Sequence, residues 1–514
     1  MKARRSFKTL TMSLALATGA ALMTALPASS ATTAPANAQP LPSAVQTHAS
    51  GPKFQLTSSN QKAAADKLLA DHLTTRANLS DVLTNQQFPN SAGVTEDWMK
   101  LREMRSCAGK ERGALPPDPI NKVVDWCWQK SHGDDVTTDW FPQGMSTTGT
   151  ADGADGQIQG RSAVAVAWHY ENKPKQNEPV GTGCQTHNLL KLSFIDRETK
   201  KYRHVLLAEP TVSGTDSNFK FVTGHGGGIV WYGNYIYVTD TIRGLRVFDI
   251  NKMAKVDSYG EGVSTYGVNG GKSSACGYGY VLPQVHFYSQ PSCTSGTGDR
   301  TVAPTEPICH SWLSLDKTSG KPYKLVSGEY HMGPGGRVVR YQLNDFGAAT
   351  HPGLLNLSGN KTVVEDAYTL SGYTNVQGGM TWSEGTAPLN FALQKSCSNV
   401  PNVFAKTWVG DTRATRTTGC TGAPLTPGGP RVQKGNWSAG TVEALSHWPK
   451  RHIDGANVEV NELWGLTEGV CTGTPTPKTD EPFDVCTGES GSPRLSLRAI
   501  YAVGFGDPLV QGLH

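Results

Sequence analysis

Three short strand-like runs lie within 27 consecutive residues, Gly224–Ile250, and this spacing constrains the fold more than any other feature of the chain. The runs are HGGGIVW, NYIYVTDT and GLRVFDI, and the turn pairs Gly233-Asn234 and Arg243-Gly244 separate them. Each run is rich in Ile, Val, Tyr or Phe, whose side chains suit a pleated, half-buried surface. Three strands joined by tight turns predict an antiparallel meander of the kind that forms one blade of a β-propeller.

Similar runs recur along the chain, each after a short motif that we expect to enter the first strand of a blade. The motif copies are Pro142-Gln143-Gly144-Met145, Gly227-Gly228-Ile229, Pro283-Gln284-Val285, Gly378-Gly379-Met380 and Glu443-Ala444-Leu445. Trp231 and Trp382 follow the two Gly-Gly copies at the same offset. The sequence therefore predicts an all-β fold, a β-propeller of about five blades, and the long intervals between copies leave six or seven blades open.

The runs after the motif copies also repeat. RSAVAVAWHY, LLKLSFID and KYRHVLLAEP follow the first copy, whereas only NELWGLTE and SLRAIYAV follow the last. We therefore expect an N-terminal segment to supply the missing fourth strand of the last blade and to close the ring.

Two stretches resemble known repeats. YGNYIYVTDTIRGLRVFDI resembles the LVIVD-type repeat of secreted and surface-layer bacterial β-propellers. WFPQGMSTTG, together with KLSFIDRETKKYRHVLLAEP, is similar to a group of actinobacterial secreted propeller proteins of uncharacterised function. The resemblance covers about residues 139–505 and implies a binding or scaffold role at or outside the cell surface.

The first residues have the composition of a secretory signal peptide. Four basic residues precede an apolar run from Leu10 to Leu26, and small residues at Ala28–Ala31 offer a cleavage site. The run is shorter than the ~20 residues that a membrane span needs, so we expect a secreted, extracellular protein with no membrane span in the mature chain. Those four basic residues equal the whole net charge of +4, and a neutral mature chain argues against nucleic acid as a partner.

The predicted organisation has four parts: a signal peptide at 1–31, a flexible leader at 32–57, an N-terminal helical segment at 58–115 and the β-propeller at 116–514. Ser58-Ser59-Asn60 is predicted to cap a first helix, in which Leu68 and Leu69 lie at helical spacing with other apolar residues. A second helix is predicted over 96–106, and a strand over Lys122–Lys130.

Ten cysteines, an even number in a secreted chain, predict disulfide bonds. Three pairs would close short loops: Cys107–Cys127, Cys397–Cys420 and Cys471–Cys486. The other four cysteines can pair as Cys293–Cys309 with Cys184–Cys276, or as Cys276–Cys293 with Cys184–Cys309, and the sequence leaves both open. No two cysteines have the close spacing of a zinc site.

Polar residues at the motif copies are the candidate ligand-binding residues, because the first strands of blades line a central channel. They are Gln143, His225, Gln284, His286, Gln377 and Glu443. Amide and imidazole groups converging on a channel can hold a carbohydrate or a peptide by hydrogen bonds. The competing interpretation is that these groups bind only water and backbone groups near the axis.

Catalytic and metal-binding patterns are weaker. The acids available for glycoside hydrolysis are Asp139, Asp240, Glu329 and Glu443, and their positions along the blades do not match one another. Asp152 and Asp155 form a candidate calcium loop that a plain Asp-Gly turn explains better, and no other cofactor is expected. Ser314 and Lys317 match S-x-x-K, but that chemistry needs a helix, and a strand end is predicted there.

These observations favour a secreted, disulfide-stabilised β-propeller that binds a glycan or protein partner outside the cell. The alternative is an extracellular carbohydrate-active hydrolase or lyase with carboxylates at the channel. Two acids about 5–10 Å apart across the channel would favour the enzyme, and amides and aromatic residues alone would favour binding. The sequence predicts no oligomeric state.

Overall fold

The computed structural model describes most of the chain from residue 45 onwards. The described ranges are 45–47, 51–84, 101–116, 122–152, 156–171, 183–260, 262–294, 306–331, 335–382, 389–395, 403–408, 442–453, 456–472 and 494–504. The predicted signal peptide and most of the predicted leader lie outside them.

Strands dominate the described residues. The first half contains β1 (Gln46–Thr47), β2 (Thr57–Asn60), β3 (Arg102–Glu103), β4 (Arg105–Ser106), β5 (Lys122–Cys127), β6 (Trp140–Thr147), β7 (Ala163–Tyr170), β8 (Leu190–Asp196), β9 (Lys201–Ser213), β10 (Asp216–Phe221), β11 (Ile229–Tyr232), β12 (Tyr235–Asp240), β13 (Gly244–Asp249) and β14 (Ala254–Lys255). The second half contains β15 (Tyr266–Asn269), β16 (Lys272–Ala275), β17 (Tyr280–Ser289), β18 (His310–Asp316), β19 (Lys324–Glu329), β20 (Gly336–Gln342), β21 (Leu357–Ser358), β22 (Lys361–Thr362), β23 (Val364–Leu370), β24 (Val376–Trp382), β25 (Asn390–Lys395), β26 (Val403–Trp408), β27 (Val442–Ile453), β28 (Ala456–Thr467), β29 (Gly469–Thr472), β30 (Arg494–Leu497) and β31 (Ala499–Gly504). The α-helices of the described chain are α1 (Lys62–Asp71) and α2 (Leu79–Leu83), so the all-β prediction is confirmed at the level of fold class.

Five antiparallel meanders follow one another along the chain. We call them sheet 1 (β6-β7-β8-β9), sheet 2 (β11-β12-β13-β17), sheet 3 (β18-β19-β20-β23), sheet 4 (β24-β25-β26) and sheet 5 (β27-β28-β31-β5). A short parallel pairing between β9 and β17, with Val281 opposite Leu206, joins the outer strands of sheets 1 and 2.

The outer strand of sheet 5 comes from the N-terminal part of the chain. β5 pairs antiparallel with β31, with Trp126 opposite Ile500 and Asp125 opposite Tyr501. The expectation that an N-terminal segment completes the last meander is therefore confirmed.

Each pair of successive sheets encloses its own apolar cluster, and a further cluster lies between sheet 5 and sheet 1. Phe194 packs with Trp231 between sheets 1 and 2, and Val247 shares a cluster with Val339 between sheets 2 and 3. The remaining clusters pair Val326 with Phe391, Met380 with Leu463, and Trp464 with Val166. The five sheets thus pack in a closed succession.

This arrangement explains why strands such as AVAVAWHY are buried at every position and apolar at nearly all of them. Successive side chains of a strand point to opposite faces of its sheet. Val164 and Val166 on β7 join the cluster shared with sheet 5, whereas Ala163 and Ala165 join the cluster shared with sheet 2. A sheet covered on both faces needs no polar face, so the alternation expected of a one-sided sheet is absent.

The N-terminal segment differs from its prediction. Ser58–Asn60 belong to β2, which pairs with β17, and the Asn60 side chain accepts a hydrogen bond from the Lys62 amide where α1 begins. The predicted second helix is wrong over its end, because residues 102–103 and 105–106 form β3 and β4; residues 96–100 lie outside the described chain. β3 and β4 instead pair with β9 and β5, where the sheet edges take up their backbone hydrogen-bonding groups. Gln46 pairs with Thr369, so the end of the predicted leader also joins a sheet.

The third motif copy was assigned wrongly. Pro283-Gln284-Val285 lies in β17, the fourth strand of sheet 2, whose register pairs Gln284 with Phe248 of β13. The first strand of sheet 3 is β18, which carries no such motif. A short Pro-Gln pattern does not distinguish the first strand of a meander from the last, because both can be buried.

Three of the predicted disulfides are present. They are Cys107–Cys127, Cys184–Cys276 and Cys293–Cys309, with Cα–Cα distances of 5.0, 5.5 and 5.5 Å. The structure thus selects one of the two pairings left open for the last four cysteines. Cys397, Cys420 and Cys486 lie outside the described residues, as does the side chain of Cys471.

A search of the described helices finds none with the length and apolar character of a membrane span.

Replacement of Trp464 tests the closure between sheets 5 and 1. Its ring is fully buried, 5.5 Å from the rings of Trp126 and Trp448. We expect Trp464→Ala to lower the free energy of unfolding by about 3–5 kcal/mol, because it leaves a cavity in the seam. Urea unfolding followed by fluorescence measures this. Val458→Ala is the control on the same strand, because Val458 is 40% exposed, and equal effects of the two variants would contradict the packing described.

Candidate functional site

The first strands of the five sheets approach one another closely at glycines. A methyl group built on Gly144 of β6 would lie 2.6 Å from the carbonyl oxygen of Gly226, just before β11. One built on Gly228, also just before β11, would lie 2.4 Å from the amide nitrogen of Leu313 in β18. Both distances are shorter than a carbon atom can approach these groups, so the neighbouring backbones require the absence of a side chain.

The succession continues through the other two first strands. A methyl group on Gly379 of β24 would meet the Trp312 ring of β18 at 2.7 Å, and one on Gly378 would lie 2.9 Å from the Leu445 amide of β27. β27 returns to β6, where the Thr147 hydroxyl donates to the His447 carbonyl oxygen at 2.8 Å. Each first strand therefore contacts the next, from β6 through β11, β18, β24 and β27 back to β6.

A cavity of about 350 Å³ opens beside these close contacts, and every first strand contributes to its wall. The lining segments are Met145–Ser146, Ile229–Val230, Leu313–Leu315, Met380–Trp382 and Leu445–His447. Each begins at the last residue of a motif copy and extends one or two residues beyond it, except for the segment within β18 of sheet 3. This volume is in the range of pockets that hold small ligands.

Two hydroxyl groups of the cavity wall lack a hydrogen-bond partner among the described residues. The Oγ of Ser314 and the Oγ1 of Thr381 are both buried, and each residue is 6% exposed. By contrast, the Ser146 hydroxyl accepts from the Trp231 amide at 2.9 Å. A buried hydroxyl without a partner costs about 1–3 kcal/mol, so Ser314 and Thr381 are suited to hold water or a polar ligand.

The rest of the wall combines apolar, aromatic and amide groups. Met145, Leu313 and Leu315 supply apolar surface, and Trp382 supplies a ring. Asn461 also lines the cavity, and its Oδ1 lies 2.7 Å from the Nε2 of His447. Burial, more than any other effect, lowers the pKa of His447, which keeps the ring neutral. The wall can thus offer hydrogen bonds and an aromatic face together.

A network of carboxyl and amide groups lies at the motif copies. The carboxyl group of Glu443 hydrogen-bonds that of Glu468, the Gln377 amide donates to Glu443 at 3.3 Å, and the Gln143 amide donates to Glu468. Glu443 and Gln143 are each 2% exposed. The structure thus brings together three of the predicted residues, Gln143, Gln377 and Glu443. It adds Glu468, which the sequence analysis did not single out.

Burial, followed by the charge of its partner, raises the pKa of Glu443 well above its usual range. Burial also raises the pKa of Glu468 to about 7, although its hydrogen bonds and the nearby Arg498 act in the opposite direction. The pair therefore keeps at least one proton near neutral pH. These side chains hydrogen-bond one another, a pairing that neither interpretation of the sequence specified.

A second buried network continues from Arg498. Its Nη1 donates to the Asp134 carbonyl oxygen at 3.1 Å, and the Asp134 carboxylate accepts from Tyr202 at 2.6 Å and binds Arg102. Burial acts to raise the pKa of Asp134. The positive charge of Arg102 is the strongest of the opposing effects, which together hold that pKa well below its usual range. Lys191 lies nearby, 4.2 Å above the Trp140 ring, and burial lowers its pKa to about 7.

The other predicted ligand-binding residues lie elsewhere. His225 contacts His169, with ring centroids 4.3 Å apart. Gln284 accepts from Arg246 at 2.8 Å inside sheet 2. His286 hydrogen-bonds Ser58 at 2.7 Å, and burial lowers its pKa to about 4. Because Gln284 and His286 belong to a fourth strand, the expectation that they enter a first strand is wrong.

Two of the four acids considered for hydrolysis are paired with arginine. Asp240 binds Arg246 at 2.9 Å, and Glu329 binds Arg337 at 2.5 Å. The backbone amide of Asp139 donates a hydrogen bond to the Thr137 hydroxyl at 3.1 Å. None of these lies in the wall of the cavity described above.

The candidate calcium loop is only partly visible. Asp152 binds Lys321 at 2.6 Å, whereas Asp155 lies outside the described residues. No group of three His, Cys, Asp or Glu side chains in the described part of the chain is arranged to hold a metal ion.

Sequence reasoning missed most of the cavity wall. Ser314 and Lys317 were noticed only as a chance S-x-x-K match, and they do lie at the end of β18 and not on a helix. Trp382 and Trp231 follow their Gly-Gly motif copies at the same offset, but Trp231 is fully buried whereas Trp382 lines the cavity. A Ser or Thr directly after the motif copy in several first strands was the available signal: Ser146, Thr381 and Ser446.

The carboxyl pair predicts a pH-dependent stability. Because the folded pKa values of Glu443 and Glu468 are raised, their contribution is fully present below about pH 4.5 and declines as pH rises toward and above 7. We expect a loss of about 1–3 kcal/mol over that interval, and Glu443→Gln should flatten it. Urea unfolding at several pH values measures this. Glu459→Gln, an exposed glutamate of the same sheet, should keep the wild-type slope, and an unchanged slope in Glu443→Gln would contradict the retained proton.

A scan of protein-family models gives no match to this chain, and a search of curated proteins gives no significant similarity.

Proposed function

We propose that the protein is an exported five-bladed β-propeller that binds a glycan through its channel cavity. Sheets 1–5 are the blades, and β6, β11, β18, β24 and β27 are the channel strands. The closed succession of contacts between these strands supports the blade count. The five apolar clusters between sheets support it independently.

Export is supported by the cysteines and by the N-terminal composition. Disulfides persist in oxidising compartments and are rare in the cytosol. All cysteines whose side chains the structure describes are paired. The N-terminus, which is basic and then apolar, has the composition of a signal peptide that directs export to such a compartment.

One observation carries the binding function: a cavity built by all five channel strands has two buried hydroxyl groups without partners. Trp382 and the Asn461–His447 pair lie in the same wall. Sugars offer both hydroxyl groups and apolar ring faces, and this wall offers partners for both. A volume of about 350 Å³ fits one or two sugar rings at the end of a glycan better than it fits a folded protein surface.

Hydrolysis of glycans is the less favoured alternative. The acid and its partner in glycosidases are about 5–9.5 Å apart, whereas Glu443 and Glu468 hydrogen-bond each other directly. The cavity wall of the described chain contains no carboxylate. These placements favour retention of a bound glycan over its cleavage.

Removal of the two hydroxyl groups tests the binding function. We expect Ser314→Ala with Thr381→Val to weaken glycan binding about tenfold or more, because each lost hydrogen bond is worth roughly 1 kcal/mol. Stability should stay constant or rise, because two unsatisfied groups disappear. A binding screen of the purified protein against cell-wall and plant polysaccharides identifies the ligand, and calorimetry with the best oligosaccharide gives the affinity.

Thr241→Val is the matched control, because the Thr241 hydroxyl is also buried without a partner but lies outside the cavity wall. It should leave glycan affinity unchanged. Full affinity in the double variant would refute the cavity as the binding site. Products detected by mass spectrometry, and lost in Glu443→Gln, would favour the hydrolase instead.

A further inference from the structure

The cavity wall carries positive charge and no negative charge among its described lining residues. Lys317 is the one lysine, arginine or carboxylate side chain among the described lining residues. It follows the last residue of β18, directly beyond the strand that carries Ser314. A single ammonium in an otherwise neutral, partly apolar wall gives the cavity a positive potential.

The nearest carboxylate does not neutralise this ammonium fully. Asp152 lies 3.8 Å from Lys317, at the limit of an ion pair, whereas Lys321 binds the same carboxylate at 2.6 Å. The Tyr323 hydroxyl also donates to Asp152, at 3.3 Å. The Asp152 carboxylate is thus mostly occupied by neighbours that do not line the cavity.

The electrostatics of Lys317 agree with an incomplete pairing. Burial, which is the largest effect, lowers the pKa of Lys317, and Asp152 offsets this only in part. Lys317 in turn contributes to the lowered pKa of His447 across the wall. The two acids that raise the pKa of His447 are already paired, Glu462 with Arg197 at 2.7 Å and Glu459 with Lys450 at 2.8 Å.

We propose that the ligand of this cavity is an anionic sugar and that Lys317 binds its anionic group. This inference rests on the proposed glycan-binding function and specifies the class of sugar. Ser314 and Thr381 bind hydroxyl groups of the same ring, and Trp382 with Leu313 contacts its apolar face. An ammonium is a point charge that accepts a carboxylate, a sulfate or a phosphate ester, so the probes must separate these groups.

Calorimetry with matched probes tests the inference. The pairs are glucuronate with glucose and galacturonate with galactose, together with the 6-phosphates and 6-sulfates of both neutral sugars. The wild-type protein should bind one anionic member at least about tenfold more tightly than its neutral twin. That preference should shrink as salt concentration rises, because the contact is a partly exposed ionic one.

Variants assign the preference to one residue. Lys317→Met should abolish the preference for the anion while keeping the affinity for the neutral twin, and Lys317→Arg should keep most of it. Lys361→Met is the control, because Lys361 is an exposed lysine that donates to the Thr57 hydroxyl and does not line the cavity. It should keep the preference, and thermal unfolding checks that all variants fold.

The outcomes separate the two proposals. Equal binding of neutral and anionic twins, or a preference that survives in Lys317→Met, overturns the anionic ligand and leaves the glycan-binding function standing. Absence of binding for every sugar and polysaccharide overturns both. A preference for phosphate or sulfate over carboxylate supports Lys317 as the anion-binding residue and excludes uronic acids.

Discussion

The close approach of the five channel strands is the constraint on which the rest of the structure depends. Gly144, Gly228 and Gly378 lie where a single added carbon would overlap a neighbouring backbone. These contacts set the distance between sheets at their first strands, and apolar clusters fill the space between successive sheets. The cavity opens where larger residues, beginning at Met145, Ile229 and Met380, follow the glycines along the same strands.

The junction between sheets 5 and 1, called the seam, differs from the other junctions because the two parts of the chain that meet there are far apart in sequence. It is also the most aromatic junction, with Trp126, Trp448 and Trp464 in contact. Arg197 of sheet 1 binds Glu462 of sheet 5 at 2.7 Å with both groups buried. Removal of one partner of such a pair is costly, since the other charge is left buried, so the seam favours one register of closure.

The sequence predicted the strands well and the site poorly, for identifiable reasons. Runs such as NYIYVTDT and AVAVAWHY specify strands by their β-branched and aromatic residues, and the missing fourth strand followed from counting runs. Gln284 was misplaced because its Pro-Gln pattern resembles that of Gln143, and only pairing with β13 shows which strand it occupies. Ser314 and Thr381 could not be singled out, because their importance comes from the absence of partners, which depends on strands distant in sequence.

Two polar regions differ in charge: the Glu443–Glu468 pair at the motif copies and Lys317 in the cavity wall. At the motif copies, Glu443 and Glu468 keep at least one proton and take hydrogen bonds from Gln143 and Gln377, so the two carboxyl groups carry at most one charge near neutral pH. Arg498, close to Glu468, offsets that remaining charge. A fully ionised pair would place a negative field beside the cavity and oppose the ammonium of Lys317. By keeping a proton, the pair leaves the field of Lys317 at the cavity wall largely uncompensated, which is the condition that an anionic ligand requires.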